Sequence, residues 1–282
     1  MPSWEVVKPQ KHWNDKENAI EIKHLQGGYG PKLTIHDITF NVPRGKLTSI
    51  IGPNGAGKTT LFRAITGMLP VKEGSILVNG EDSSRMTHKQ RAQKLAIVNQ
   101  TVEADFISIE DYVLMGRLPY HAPLQLFESK EDYAIAEESM KLTGIWNKRE
   151  KMMNRLSGGE QQLAAIARAL TQQTQILLLD EPTSHLDISH QMRILNLVQR
   201  LNRERDLTVL LIIHDLNLSS EFSDQLVMLK EGRIHTTGTP EEVLTYENIE
   251  TVYDTLVVTH SNPLSGKPCI FPVSEKHQTL IS

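Results

Sequence analysis

From about Ala19 onward, short apolar runs broken by glycine and proline, AIEIKHL, LTIHDITFNV and KLTSII, predict strands of a small antiparallel sheet. The last run breaks into GPNGAGKTT and then LFRAITGML, so a strand, a glycine loop and a helix are expected in succession. SILVNG resumes strand character. Between Ser83 and about Leu170 the period lengthens to that of helices, in MTHKQRAQKLA, SIEDYVLMGRL, KEDYAIAEESMKLTGI and GGEQQLAAIARALTQ, which predicts a mostly helical subdomain, placed at about 101–170. QILLLD and TVLLIIH each follow a helix and are continuously apolar, the mark of parallel strands covered on both faces. QLVMLKEGRIHTTG predicts a strand pair turning at Glu231 and Gly232, and PEEVLTYENIETVYD a helix with Pro240 near its start. The fold class that follows is α/β, with a mostly parallel core sheet, an antiparallel β subdomain and an inserted helical subdomain. Residues 1–20, polar apart from Trp4 and Trp13, are set off as an N-terminal extension, and 257–282 as a C-terminal tail packed on the domain, which itself spans 21–256.

Composition narrows the class without naming a chemistry. A chain of 282 residues, 39% hydrophobic and 23% charged, buries a real core. A formal charge of -4 argues against non-specific binding to nucleic acid or an anionic membrane. The single Cys269 excludes an internal disulfide framework and a thiolate metal cluster within one chain, which fits a cytosolic setting. No stretch approaches eighteen uninterrupted apolar residues, so the chain is not expected to cross a membrane by itself.

The chemistry begins at the glycine loop. Gly52, Pro53, Asn54, Gly55, Ala56, Gly57, Lys58, Thr59 and Thr60 fit G-x-x-x-x-G-K-[ST] between an apolar strand and a helix, the context of a P-loop NTPase. Glycines let backbone N–H groups wrap phosphate oxygens closely, where a β-carbon would block the curvature or the approach. Lys58 then neutralises the β- and γ-phosphates, Thr59 offers its hydroxyl to Mg²⁺, and the helix start adds its positive end. The strand ILLLD ends at Asp180 and Glu181, two carboxylates suited to separate tasks: Asp180 holds Mg²⁺ through water, and Glu181 orients or deprotonates the attacking water. His214 ends TVLLIIH, is expected on the same sheet edge, and there would bond the γ-phosphate or the water. ATP and Mg²⁺ are the cofactors these patches imply. Among the other histidines only His185, in the turn after the carboxylates, draws notice.

LSGGEQQ, residues 156–162, closely resembles the LSGGQ hallmark of the nucleotide-binding subunits of ATP-binding cassette transporters, and by its residues alone is a serine-preceded, glycine-backed helix start able to cradle an anion. The resemblance covers about residues 20–245 and implies that Ser157, Gly158 and Gly159 close over the γ-phosphate held by a second subunit. It further implies that Tyr29 stacks on adenine, that Gln100 approaches Mg²⁺ and the attacking water, that Asp187 belongs to the loop meeting the opposite subunit, that Glu181 is the general base and that His214 is the switch. Departures are small: Glu160 replaces the hallmark's final glutamine, Gln161 stands where arginine is frequent, and Asn99 stands where proline is frequent. SIEDYVLMGRLPYH, TGTPEEVLTYENIETVYD and HSNPLSGKPCIFPV are similar to importers of iron–siderophore, haem, cobalamin and related metal chelates.

From that resemblance the implied partners are a second copy of the chain on ATP binding, two transmembrane permease subunits and, indirectly, a substrate-binding protein, at the cytoplasmic face of the cell membrane. Residues near 101–125 would receive the permease; Phe106, Ile107, Ile109, Tyr112 and Leu118 there read equally as core positions. The rivals are a P-loop kinase or motor, which LSGGEQQ and the Asp180–Glu181 pair oppose, an exporter ATPase, and an ATP-driven clamp on nucleic acid or a ribosome, which the single copy and the lack of a basic tract oppose. An adaptor that has lost catalysis conflicts with the presence of Lys58, Asp180, Glu181 and His214. The transported cargo is not legible here.

Overall fold

Strand β1 (Asn18–Gly27) pairs antiparallel with β2 (Ile35–Pro43), and the alternation of ITF and NV along β2 turns Ile38, Phe40 and Val42 to one buried face. In this computed structural model residues 17–30, 34–102, 106–122, 125 and 127–274 are described. Most of the anticipated N-terminal extension, including Trp4 and Trp13, and the last eight residues of the tail lie outside them. Next along the chain come β3 (Leu47–Ile51), α1 (Lys58–Thr66), β4 (Val71–Val78) and β5 (Glu81–Asp82). β2, β1, β4 and β5 form one antiparallel sheet in that order. β3 leaves it for the central sheet.

The central sheet carries six strands in the order β10-β9-β3-β8-β7-β6. β6 (Leu95–Val98) follows a five-residue helix, α2 (His88–Ala92); β7 (Ile176–Asp180) lies next to it and β8 (Thr208–Ile212) beyond β7, and β9 (Gln225–Lys230) with β10 (Arg233–Gly238) closes the other side. All the neighbours from β9 to β6 are parallel, and β10 returns antiparallel through the turn at Glu231 and Gly232. Successive residues of a strand face opposite ways, so Leu177, Leu179, Val209 and Leu211 enter one core while Ile176, Leu178, Leu210 and Ile212 enter another. The second core is roofed by the antiparallel sheet and α1, the first by the remaining helices. Burial on both faces explains why these strands read as unbroken apolar runs.

Helices α3 (Ile109–Leu114), α4 (Lys130–Thr143) and α5 (Gly158–Thr171) pack on one another, α3 and α4 starting from serine caps at Ser108 and Ser129. α6 (Ile188–Arg205) and α7 (Leu216–Phe222) flank the central sheet. Two elements differ from the pattern-based expectation. The stretch from Ser83 read as helical contains β6, because Leu95–Val98 is a short apolar run whose identity as a strand is decided by pairing with β7. The single helix expected over PEEVLTYENIETVYD is two, α8 (Pro240–Val243) and α9 (Tyr246–Tyr253), since Thr245 starts a new helix by accepting from Asn248 N–H. β11 (Val257–Ser261) and β12 (Pro268–Pro272) form a hairpin against α7. Among the described residues no helix is long and apolar enough to cross a membrane.

Candidate active site

Three adjacent parallel strands deliver the site at their carboxyl ends: β3 runs into the glycine loop, β7 ends at Asp180, and β8 leads to His214. The loop needs glycine for two reasons. A β-carbon on Gly52 would lie 2.5 Å from the Leu229 carbonyl oxygen, and Gly55 and Gly57 hold φ of 82° and 98°. Gly57 caps α1 with no side-chain hydrogen bond, so the helix start presents backbone N–H groups. Lys58 is buried and donates from Nζ to the Gly52 and Pro53 carbonyls at 2.8 and 3.0 Å, which bends its ammonium over the loop. Burial lowers its pKa, opposed by the nearby Glu181 and Asp180 carboxylates.

A cavity of about 360 Å³ brings Asn54, Gly55, Gly57 and Lys58 together with Thr59, Thr60, Gln100, Glu181 and His214. Glu181 is its fixed point. The residue holds φ 46°, and its N–H donates to the Ile212 carbonyl at 3.1 Å, tying the end of β7 to β8. Its carboxylate accepts from Gln100 Nε2 at 2.8 Å and Ser184 Oγ at 3.1 Å on one oxygen and meets His214 Nε2 on the other. Sequence reasoning missed Ser184; its signal is the turn in which Ser184 N–H donates to the Glu181 carbonyl three residues back.

Asp180 faces a second cavity of about 470 Å³ that shares Thr59 and Gln100 with the first. Its carboxyl is pushed up to about 6, first by burial and then by the adjacent Glu181 charge, against the smaller pull of Arg63, His214 and Lys58. Among the described residues its Oδ1 is buried without a hydrogen-bond partner. A buried carboxylate oxygen left over in a cavity that Thr59 also lines fits a divalent cation. No group of three or more acidic, histidine or cysteine side chains able to hold a metal exists among the described residues, so such an ion would complete its oxygen shell from phosphate and water.

Tyr29 lies outside both cavity linings: its half-exposed ring stands beyond α1, where its hydroxyl accepts from Arg63 Nη1 at 2.8 Å. Ser157, Gly158 and Gly159 are likewise apart from the phosphate cavity within one chain. Ser157 caps α5 in a reciprocal box: its hydroxyl accepts from Glu160 N–H, and Glu160 Oε2 accepts from Ser157 N–H at 3.0 Å. Glu160 also pairs with Lys148, which holds its carboxyl below the usual range. Thus the departure from the hallmark at Glu160 keeps the cap. Ser157 and Gly158 are exposed, whereas a β-carbon on the buried Gly159 would sit 2.4 Å from Cδ2 of the chain's own His190.

His190 also places Nδ1 2.9 Å from Asp187 Oδ2, while Asp187 Oδ1 caps α6 by accepting from His190 N–H at 2.9 Å. Those bonds, with the Ser189 hydroxyl, hold the Asp187 carboxyl well below its usual range. His190 thereby joins Asp187 to the start of α5, a link that sequence reasoning did not assign. His185 is exposed at φ 63° and joins neither. Of the residues weighed for permease contact, Ile109 and Tyr112 are core and Ile107 packs on it, whereas Phe106 and Leu118 are 90% and 53% exposed.

Comparison with known proteins agrees with this arrangement. The ABC transporter family profile matches residues 35–184. The chain is 38% identical to the ferric enterobactin transport ATP-binding protein FepC of Escherichia coli over 89% of its own length and 93% of that protein's. It is 36% identical to the iron(3+)-hydroxamate import ATP-binding protein FhuC of Bacillus subtilis, over 89% and 93% of the two chains. Among solved structures, the dimeric bacterial ABC transporter cassette MJ0796 superposes with a TM-score of 0.70 at 27% identity, covering 78% of this chain and 98% of that one. With the phosphate loop, the paired carboxylates and the capped LSGGE helix in one fold, the chain belongs to the ABC transporter family, as one of its ATP-hydrolysing cassettes.

Proposed function

We propose that this chain powers import of an iron–siderophore or a related metal chelate, as a peripheral subunit on the cytoplasmic face of the membrane that pairs with a second copy and with two permease subunits. The observation that carries the catalytic part is the Glu181 carboxylate, held in the lining of the phosphate cavity by Gln100, Ser184 and His214. A carboxylate so restrained is aimed at a water in line with the γ-phosphate and accepts its proton as the water attacks. Lys58 and the N–H groups of the loop stabilise the charge spreading over the phosphoryl oxygens, and Gln100 and His214 keep Glu181 in its orientation. Thr59 and, through water, Asp180 would hold Mg²⁺, which supplies neutralisation of the β- and γ-phosphate charge when bound.

Ser157 and Gly158 would complete the site of the second copy, because both are exposed and neither reaches the phosphate cavity of their own chain. Tyr29 would give the adenine a stacking face, and Asp187 would meet the opposite phosphate loop. The cargo rests on the ferric enterobactin and iron(3+)-hydroxamate relatives. The exposed Phe106 and Leu118, flanking α3, suit contact with the permease. Uptake of ⁵⁵Fe-labelled siderophore by cells lacking the chain tests the assignment. Wild-type protein restores uptake and Glu181→Gln does not; uptake that is unaffected by deletion contradicts the cargo.

A further inference from the structure

His214 stands at the junction between β8 and α7, where Asp215 caps the helix by accepting from Leu218 N–H at 2.9 Å. α7 spans only seven residues, and a helix that short does not hold itself in place. The C-terminal hairpin holds it along its whole length. In the first turn of α7, the Asn217 carboxamide makes two bonds to the backbone of Ile270 in β12: Ile270 N–H donates to Oδ1 at 2.7 Å, and Nδ2 donates to the Ile270 carbonyl at 3.2 Å. One turn on, Ser220 Oγ donates to the Pro268 carbonyl at 2.7 Å.

At the far end, Lys267 Nζ donates to the carbonyls of Glu221 and Ser223 at 3.0 and 2.8 Å, supplying partners to groups a helix terminus leaves open. Glu221 Oε2 in turn accepts from Ser265 Oγ at 2.7 Å and Asn262 Nδ2 at 3.3 Å in the turn of the hairpin. Asn217 is three residues from His214, and its side chain reaches a strand more than fifty positions further along the chain. The hairpin otherwise has no place in the phosphate chemistry: it contributes no residue to the cavity.

We infer that the β11–β12 hairpin is a positioning element for the His214–Glu181 pair, and that Asn217 is the positioning residue through which it acts. Rigid contact along α7 fixes where β8 releases the chain, and so where the imidazole meets Glu181. The inference rests on the reading of His214 and Glu181 given above. It turns the C-terminal segment into part of the machinery that orients the catalytic base.

The test is Asn217→Leu, which keeps the bulk and removes both bonds, studied in the full chain. ATP affinity is expected to stay within about twofold while kcat falls roughly tenfold, the scale expected for a slightly misplaced catalytic group. In protein labelled at histidine, the His214 ring resonance, assigned by its loss in His214→Ala, moves and the histidine resonances outside the hairpin, which itself carries His260, do not. An unmoved His214 resonance with normal kcat overturns the inference. So does a general shift of histidine resonances with weakened ATP binding, which would make the hairpin a stabilising strap. His214→Ala hydrolysing at the wild-type rate would instead remove the reading on which the inference stands. Should Asn217→Leu not fold, Lys267→Met loosens the other end of α7 and is read by the same measurements.

Discussion

At the residue scale two neighbouring carboxylates, Asp180 and Glu181, stand in different surroundings. Asp180 holds its proton up to about 6 because burial and Glu181 disfavour its charge. The sign follows from linkage: between 3.8 and about 6 the folded chain keeps a proton that the unfolded chain has lost, so stability falls as pH rises through that window. Asp180→Asn should therefore raise the melting temperature of the nucleotide-free protein at pH 7.5, raise it by clearly less at pH 5, and abolish Mg²⁺-dependent hydrolysis. Thermal melts at the two pH values check the first part, and an advantage independent of pH would contradict the assignment.

Glu181→Gln keeps the shape of the base and removes its ability to take a proton, so kcat should fall by about 10² or more with ATP still bound. That Lys58, Thr59, Asp180 and Glu181 lie around two adjoining cavities was legible in the sequence, because they come as adjacent residues at the ends of apolar strands. Ser184 and His190 were not, because each acts through a turn or a packing contact. The ring of His190 against Gly159 is a fact of how α5 and α6 meet.

At the element scale that contact predicts a coupling. Gly159→Ala would drive a methyl into the His190 ring and should destabilise the fold by about 1–3 kcal/mol, the usual range for overpacking. His190→Ala in the same chain should recover most of the loss; additive losses in denaturant unfolding would show that the glycine is needed for some other reason. The start of α5 makes a second case. Glu160→Ala removes one half of the capping box and the Lys148 pair, and should cost about 1 kcal/mol, with Glu160→Gln, which keeps the cap, costing less. Equal losses for the two would place the stabilisation in the ion pair. The elements that sequence pattern misplaced have a common cause. β6 and the break between α8 and α9 are set by what lies beside them, a neighbouring strand and a competing cap, while β3, β7 and β8 are buried on both faces and announce themselves as apolar runs.

At the scale of the whole molecule, one chain keeps its glycine loop and the LSGGE start of α5 apart. The glycine loop, Gln100, Glu181 and His214 gather at one cavity, and the capped start of α5 presents Ser157 and Gly158 to the outside. In the proposed head-to-tail pair of chains the glycine loop of each would meet the LSGGE start of the other, with nucleotide between them, so that ATP binding would favour closure and loss of the γ-phosphate would favour opening. The separation was not legible in the sequence beyond what resemblance implied, because string order gives no distance between the loop and LSGGE. The most direct test is the mass of the Glu181→Gln protein in solution by light scattering, with and without Mg-ATP. A two-chain site shifts the mass from that of the 31.8 kDa chain to twice that value when nucleotide is present. A protein that binds ATP, stays at the mass of one chain and still hydrolyses at the wild-type rate would contradict the two-chain site.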